Sequence, residues 1–599
     1  MEKTLKITST IQCDVLIIGA GGAGLRCAAK ICNLRPGTSI IAVTKVAHPQ
    51  KSHTGSAQGG LSAVDPGDPV DRLKYHMFDT WKGSDCTADQ NVIKKVTEAS
   101  WDETLWLIKK GMHFTRNEEG KLSKRTFGGH TLFFGEISAF RAIFEADRTG
   151  KGILDSLWTE ALRNKIQFFN QSIATELFIK NDRCTGALLF RQKEGEFVKV
   201  IAKATVIATG GSGQVFKITT NCRHNTGDGL AVALRAGLPV MDPEAVQFHP
   251  TGIVGPGILA SEALRGEGGI LKNNGLEPFM INYAPGMRDL APRDIVSRAI
   301  EMEIREKRGI SHPDHNIEHV WIDLRHLSDY VHDVKLKEIS AFFKSFVNID
   351  AKKELCPVRP SNHYQMGGIP TTEFGEVQKS EDKIISGLFA IGECASASLH
   401  GFNRLATNSI LELITMGRFV GEKVVGFLDD GSADDLPIDA GEKTLSQFNN
   451  YLNAKGKDNF GQIRNIMRNT MTEKAGVFRT EDGLNKAMET LAELKNRSYN
   501  TALSGKSLRM NQELVQCWEL DNLLSVASVI VKGAQERRES RGAHYREDYQ
   551  ERQDKFNYHT LAYITESGEI TLGKRAINMC IHEAKGENYE KFGNILRKY

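Results

Sequence analysis

Cys13-Asp14-Val15-Leu16-Ile17-Ile18 runs without a break into Gly19-Ala20-Gly21-Gly22-Ala23-Gly24. The first six residues are the short apolar, β-branched run that a buried parallel strand needs. A helical stretch through Ala28-Ala29-Lys30-Ile31 follows, and Ser39-Ile40-Ile41-Ala42-Val43 supplies a second strand. Strand, glycine turn, helix and strand make a βαβ unit, which commits this part of the chain to a parallel sheet covered by helices. In such a unit the first glycine makes the tight turn, the second lets backbone approach a pyrophosphate, and the third permits close helix–strand packing.

A bare GxGxxG is a weak signal, but this one has its flanking strand and helix and predicts a bound dinucleotide, its phosphates on the helix N-terminus. Gly19, Gly21, Gly22 and Gly24 are the fingerprint positions. Where an acidic residue usually takes the ribose, the second strand ends in Thr44-Lys45, which disfavours NAD. Ala204-Thr205-Val206-Ile207-Ala208 reads as another buried strand, ending in Thr209-Gly210-Gly211. Leu388-Phe389-Ala390-Ile391 ends in Gly392-Glu393. Glycine-ended strands spread this widely suit a cofactor gripped along its whole length, FAD rather than NAD. Glu393 then accepts from a cofactor hydroxyl, unless it only answers a helix dipole.

Strands of one sheet separated by nearly 400 residues imply an insertion, placed from about Asp242 to Asn362. Glu176–Lys180 and Gly186–Phe190 read as a hairpin joined by Asn181-Asp182-Arg183. From about Val420 the pattern turns helical: Leu484, Met488, Leu491 and Leu494 share one face, and Leu520, Leu524, Ala527 and Ile530 another. A mixed segment follows Arg541.

The chain has 77 basic and 74 acidic side chains, a net charge of +3, which gives nucleic-acid binding no support. Its ten cysteines are scattered, with no CxxC pair, so a zinc or iron–sulfur site held by this chain alone is not expected. They read as reduced core thiols of a cytosolic protein, and Cys27 and Cys32 as packing. The N-terminus lacks a signal stretch, and the apolar runs fall short of the roughly 20 residues a bilayer span needs. Membrane contact is therefore expected through partners alone.

Ser52-His53-Thr54, followed by Ala57-Gln58-Gly59-Gly60, resembles the flavin-attachment segment of succinate dehydrogenase and fumarate reductase flavoprotein subunits. The resemblance continues, in order, through Phe127-Gly128-Gly129, Thr226-Gly227-Asp228-Gly229, Gln247-Phe248-His249-Pro250-Thr251-Gly252 and Arg265-Gly266-Glu267-Gly268-Gly269. Pro292-Arg293-Asp294, His363-Tyr364-Gln365-Met366-Gly367-Gly368, His400-Gly401-Phe402-Asn403-Arg404 and Arg538-Glu539-Ser540-Arg541-Gly542-Ala543-His544 complete it. It implies an α/β fold: a Rossmann-like FAD-binding domain (1–241 and 363–428), an inserted α+β capping domain (242–362), a C-terminal helical bundle (429–540) and a small C-terminal segment (541–599).

The resemblance also implies FAD bonded through His53, with further cofactor contacts at Gly210, Asp228, Arg404, Ser409 and Leu411. By withdrawing electrons, that bond raises the flavin potential, which succinate, a poor reductant, requires. A dicarboxylate needs cationic or hydrogen-bonding groups at both ends, and a guanidinium fork matches a carboxylate. The family pattern assigns His363 and Arg404 to one carboxylate, and His249 and Ser261 to the other near Phe127. Ser261 stands where relatives usually hold threonine. Arg293 is the implied proton donor, restored through Glu262 and Arg265, although that pair alone could be an intrahelical ion pair. Glu267 and Asp294 read as structural supports.

The implied electron partner is a separate iron–sulfur protein subunit, with a quinone-reactive membrane anchor subunit. That places the chain peripherally at the cytoplasmic face of the cell membrane. The helical region past residue 430 is either a docking surface or a bundle packed on its own domain. Gln58 hints at oxidation over reduction. Rival readings are a thiol-driven fumarate reductase, an L-aspartate oxidase, against which Ser52-His53-Thr54 argues, and a non-catalytic FAD carrier, which would have no use for the assembled His249, Arg293, His363 and Arg404.

Overall fold

A computed structural model describes residues 5–255, 257–312, 317–430, 436–579, 592–595 and 597. The glycine unit builds the centre of an eight-stranded sheet. Ile7–Ile18 lies between Ile40–Thr44 and Glu196–Ile207, parallel to both, with Val15 opposite Ile40 on one side and Ala204 on the other. Val15 to Ile18 are all buried, as a strand with parallel neighbours requires. Lys383–Ala390 joins Glu196–Ile207 in parallel, so strands nearly 400 residues apart do share one sheet. The hairpin is present and longer than predicted: Ser172–Lys180 pairs antiparallel with Arg183–Arg191, which continues onto Glu196–Ile207. Gly19 sits at φ +116°, and a Cβ there would lie 2.0 Å from the Ala208 carbonyl oxygen. A Cβ on Gly24 would come within 2.1 Å of the Gly19 carbonyl, so helix Gly22–Leu34 can approach its strand only without side chains at these points.

The segment between the distant strands forms its own antiparallel sheet, Val246–Ile253, Cys356–Gln365, Glu318–Asp323 and Ile270–Lys272. Helices Arg293–Arg305 and Lys337–Val347 cover it, around a separate core that includes Leu264, Val296, Ile300, Val320, Phe343 and Val358. A smaller sheet, Leu61–Ser62, Ile137–Ile143 and Lys124–Leu132, walls the space between the two units.

Helices Glu442–Asn453, Phe460–Lys474, Glu481–Ser498 and Gln512–Glu536 form the predicted bundle. Leu484, Leu491, Leu494, Leu520, Leu524, Ala527 and Ile530 are buried in one cluster with the main sheet, and Met488 packs at its edge. Phe448 meets Phe190 and Phe197 with ring centroids 5.3 and 5.0 Å apart, so the bundle packs on its own sheet.

Gln512–Glu536 is long and apolar enough to span a bilayer, with mean hydropathy 1.4, although no uninterrupted apolar run announced it. Its apolar window is 83% buried inside the protein, and Glu519 and Asp521 on it pair with Lys45 and Lys495, so it is the central helix of the bundle. Tyr558–Ile564 and Ile570–Ala576 form a hairpin against Val240–Met241. The described cysteines are all free; Cys27 and Cys32 are buried.

Candidate active site

Between the two sheets lies a cavity of about 850 Å³, within the range of small-molecule and cofactor sites. At one end its walls carry Gly19, Gly21, Gly22, Thr44, Lys45, Gly210 and Asp228; along its length, Ser52, His53, Thr54, Gln58, Gly59, Gly60, Glu393 and Ser409. Phe127, His249, Ser261, Glu262, Arg293, His363 and Arg404 close the other end. Three anticipated residues stand back from it. Gly24 serves helix packing, Arg265 lies behind Glu262, and the Leu411 side chain is buried in the core while its neighbours Ile410 and Leu413 face the cavity.

The glycine end offers what a pyrophosphate seeks. Gly21 caps its helix without any side-chain bond, and the Gly22 N–H donates only to Thr54 Oγ1, at 3.1 Å. The acidic group missing after the second strand arrives from elsewhere: Lys45 Nζ lies 2.8 Å from both Asp228 and Glu519. Buried Ser52 Oγ, Gln58 Oε1 and His224 Nε2 have no partner among the described residues and line the cavity. Unpaired polar atoms at such depth are costly unless a ligand engages them, so these walls fit a long polar cofactor such as FAD.

Burial pushes the Glu393 carboxyl up to about 7, and Glu393 Oε1 accepts from the Gln365 N–H at 3.1 Å. His53 is held neutral, its pKa lowered to about 4 by burial, and its Nδ1 is engaged by Ser56 Oγ at 3.1 Å and Cys222 Sγ at 3.2 Å.

At the other end, the His249 and His363 rings lie 5.1 Å apart edge to face. Burial, then the Arg293 charge, holds both well below the usual histidine range. Thr251 N–H donates to His249 Nδ1 at 3.2 Å, which puts the neutral ring's proton on Nε2, buried and without a partner. Arg404 donates from Nη1 to Ser409 Oγ at 3.1 Å and rests 4.7 Å above the Tyr364 ring, while its Nε has no partner among the described residues. Burial and neighbouring Arg293 lower it to about 9. Ser261 Oγ accepts from the Ala263 N–H at 3.0 Å, so its own proton is left for a ligand.

Glu262 sits between two guanidinium groups, 2.8 Å from Arg293 Nε and 3.6 Å from Arg265 Nη2, and accepts the Gly128 N–H at 2.7 Å. Burial opposes its ionisation, but Arg265 and Arg293 outweigh that and keep its pKa below the usual value. The helix here is only Ala263–Gly266, and the shorter contact is to Arg293, so Glu262 is more than half of an intrahelical pair. Asp294 pairs with Arg298 and Arg597, and Glu267 with Lys335, outside the cavity.

Sequence reasoning missed the side chains that aim these groups. Gln247 donates to Asn403 Oδ1 and the Arg404 carbonyl at 2.9 and 2.8 Å, and accepts from Arg293 Nη1 at 3.3 Å, tying both arginines together. Two residues before His249 on one strand, it shares that residue's face, a period-two signal that was available. Thr220 Oγ1, 2.8 Å from His363 Nδ1, and Cys222 had no such signal, since the loop that carries them meets the site only in the folded chain.

A model of the FAD binding domain matches residues 14–410, and one of the fumarate reductase flavoprotein C-terminus matches residues 464–589. The succinate dehydrogenase flavoprotein subunit of Rickettsia bellii is 41% identical over 575 residues, covering 94% of this chain and 95% of that protein. The chain belongs to the succinate dehydrogenase and fumarate reductase flavoprotein subunit family. A solved quinol fumarate reductase of Escherichia coli, in the same family, has TM-score 0.90 at 35% identity, covering 97% of this chain and 100% of that one. A solved quinol–fumarate reductase with menaquinol molecules has TM-score 0.88 at 36% identity, over the same shares.

Proposed function

We propose that this chain is the catalytic, FAD-dependent subunit that interconverts succinate and fumarate. The observation that carries the reading is the convergence of His249, His363, Arg293 and Arg404 at one end of a cavity whose other end is a dinucleotide-binding glycine turn. Arg404, lowered to about 9 by burial first and by the Arg293 charge second, calls for an anionic ligand, and a dicarboxylate brings two charges. FAD, when bound, supplies the hydride acceptor and donor.

His249 Nε2–H and the Ser261 hydroxyl hold one carboxylate, and Arg404 with His363 the other. Fixing both ends orients the reacting carbons, an effect worth roughly 7–11 kcal/mol when geometry is near attack. Arg293 delivers a proton to substrate carbon in reduction and stabilises charge developing there. Glu262, bonded to Arg293 Nε, returns the proton, with Arg265 behind it as the next station.

Several finer readings belong to this proposal. FAD would be held through a bond to His53, whose imidazole is kept neutral by burial. The division into an FAD-binding domain, a capping domain, a bundle and a C-terminal segment follows the boundaries given above. Electrons pass to an iron–sulfur protein subunit and a quinone-reactive membrane anchor subunit, with this chain peripheral on the cytoplasmic face. Succinate oxidation with an artificial acceptor and fumarate reduction with a reduced dye test the core reading: turnover of neither diacid refutes it. Purification from the native host with and without detergent identifies the partner.

A further inference from the structure

The helix Lys337–Val347 presents Glu338, Phe342 and Phe346 to the cavity, each four residues after the last and therefore on one face. Ile339 and Phe343, on its other side, are buried in the core of the inserted unit. Phe346 is 53% exposed, so this helix stands where the cavity meets solvent. Its own N-cap residue, Leu336, has no side chain that can satisfy the first-turn N–H groups.

Asp147 satisfies them, from a different part of the fold. Its Oδ2 accepts from Glu338 N–H at 2.8 Å and Ile339 N–H at 3.0 Å, across a sequence separation of about 190 residues. Asp147 is 1% exposed, lines the same cavity, and has no partner for Oδ1 among the described residues. Its mount is fixed: Ala146 lies at φ +42°, its N–H donates to Thr115 Oγ1 at 3.0 Å, and its carbonyl accepts from Arg125. A non-glycine residue in the left-handed region persists only where its surroundings over-determine it. Burial raises the Asp147 carboxyl above its ordinary value, and the Ile339 and Glu338 amides at the helix terminus act against that rise.

We infer that Asp147 is a positioning residue for the reaction: its carboxylate fastens Lys337–Val347 across the cavity mouth and keeps the Glu338–Phe342–Phe346 face seated over a bound dicarboxylate. No other side chain along the cavity rim at this helix, Arg148 and Lys151 included, bonds its first-turn amides among the described residues.

The test uses the full-length FAD-loaded protein, with Asp147→Ala and Asp147→Asn. Loss of a helix cap corresponds to roughly a three- to thirtyfold shift, and asparagine caps about as well as aspartate. Asp147→Ala is expected to raise the KM for fumarate by about that factor and to speed amide exchange in residues 336–347 alike, while Asp147→Asn stays within about twofold of the parent in both. The KM readout rests on the function proposed above and amide exchange does not, so failure of one is told from failure of the other. Unchanged exchange in Asp147→Ala, or an asparagine variant as loose as the alanine one, overturns the inference. Should the alanine variant not fold, the unmodified protein decides: unprotected amides at Glu338 and Ile339 refute it, and protected ones together with a normal asparagine variant support it.

Discussion

Glu262→Gln isolates the proton route from the grip on substrate. The glutamate is 1% exposed and its carboxylate serves three donors: Arg293 Nε, Gly128 N–H and, more distantly, Arg265. A glutamine of the same shape keeps one acceptor oxygen, and its amide N–H₂ must face either a backbone N–H or a guanidinium, donor against donor. A hydrogen bond to a charged group is worth about 1.5–3 kcal/mol, so the variant is less stable but retains its packing. Glutamine can neither take a proton from bulk nor hand one to Arg293. General acid–base relays contribute about 10²–10⁴ in rate, so kcat for fumarate reduction is expected to fall by that factor, or roughly 3–5 kcal/mol of barrier. Affinity for a non-reducible dicarboxylate, measured by titrating the flavin absorbance, stays equal or tightens, because an anion has left the site. A kcat within tenfold of the parent refutes the relay. So does a parallel loss of kcat and affinity, which would mark Glu262 as only a structural prop for Arg293.

Arg404→Ala removes a charge-assisted clamp and should weaken dicarboxylate binding by about ten- to 150-fold, read in the same titration; unchanged affinity misplaces the clamp. With Arg404 lowered to about 9 in the ligand-free protein, affinity is full below that pH and falls as pH rises through it; a flat profile from pH 8 to 10 assigns the anion to other groups. His249 and His363 have folded pKa values depressed below the ordinary value near 6.5. Their contribution to stability is therefore intact above that pH and lost as pH falls below it, at up to about 1.4 kcal/mol per pH unit for each, and the Tm of His249→Gln should fall less steeply on acidification. His53→Ala should leave FAD bound yet removable by acid, with succinate oxidation lost before fumarate reduction; full succinate activity would remove the argument from potential.

The parallel sheet was legible because Val15–Ile18 and Ala204–Ile207 are apolar on both faces and end in glycines, a pattern that buried strands share with little else. Bundle faces were legible from helical periodicity, as at Leu484, Leu491 and Leu494. Pairings between remote segments were not. Nothing in Thr44-Lys45 announces that Asp228 and Glu519 will come to it, and Asp147 gives no hint of the helix it caps. At Leu411 a family motif names a stretch of backbone, whereas helical geometry decides which side chains face the cavity, and there those are Ile410 and Leu413. The apolar character of Gln512–Glu536 was diluted along the sequence by Glu519, Asp521 and Asn522, whose partners appear only on folding.

Lys45 at the glycine-turn end and Glu519 on the central bundle helix are held in one ion pair, and Phe448 joins the bundle to the same sheet through Phe197. Cofactor retention is thereby made a property of the whole polypeptide. A fragment ending near residue 430 would keep every glycine of the fingerprint, yet expose the sheet's inner aromatic surface and leave Lys45 one counter-charge short. Such a piece should aggregate or emerge colourless from expression, so insertion of the flavin awaits completion of the C-terminal helices.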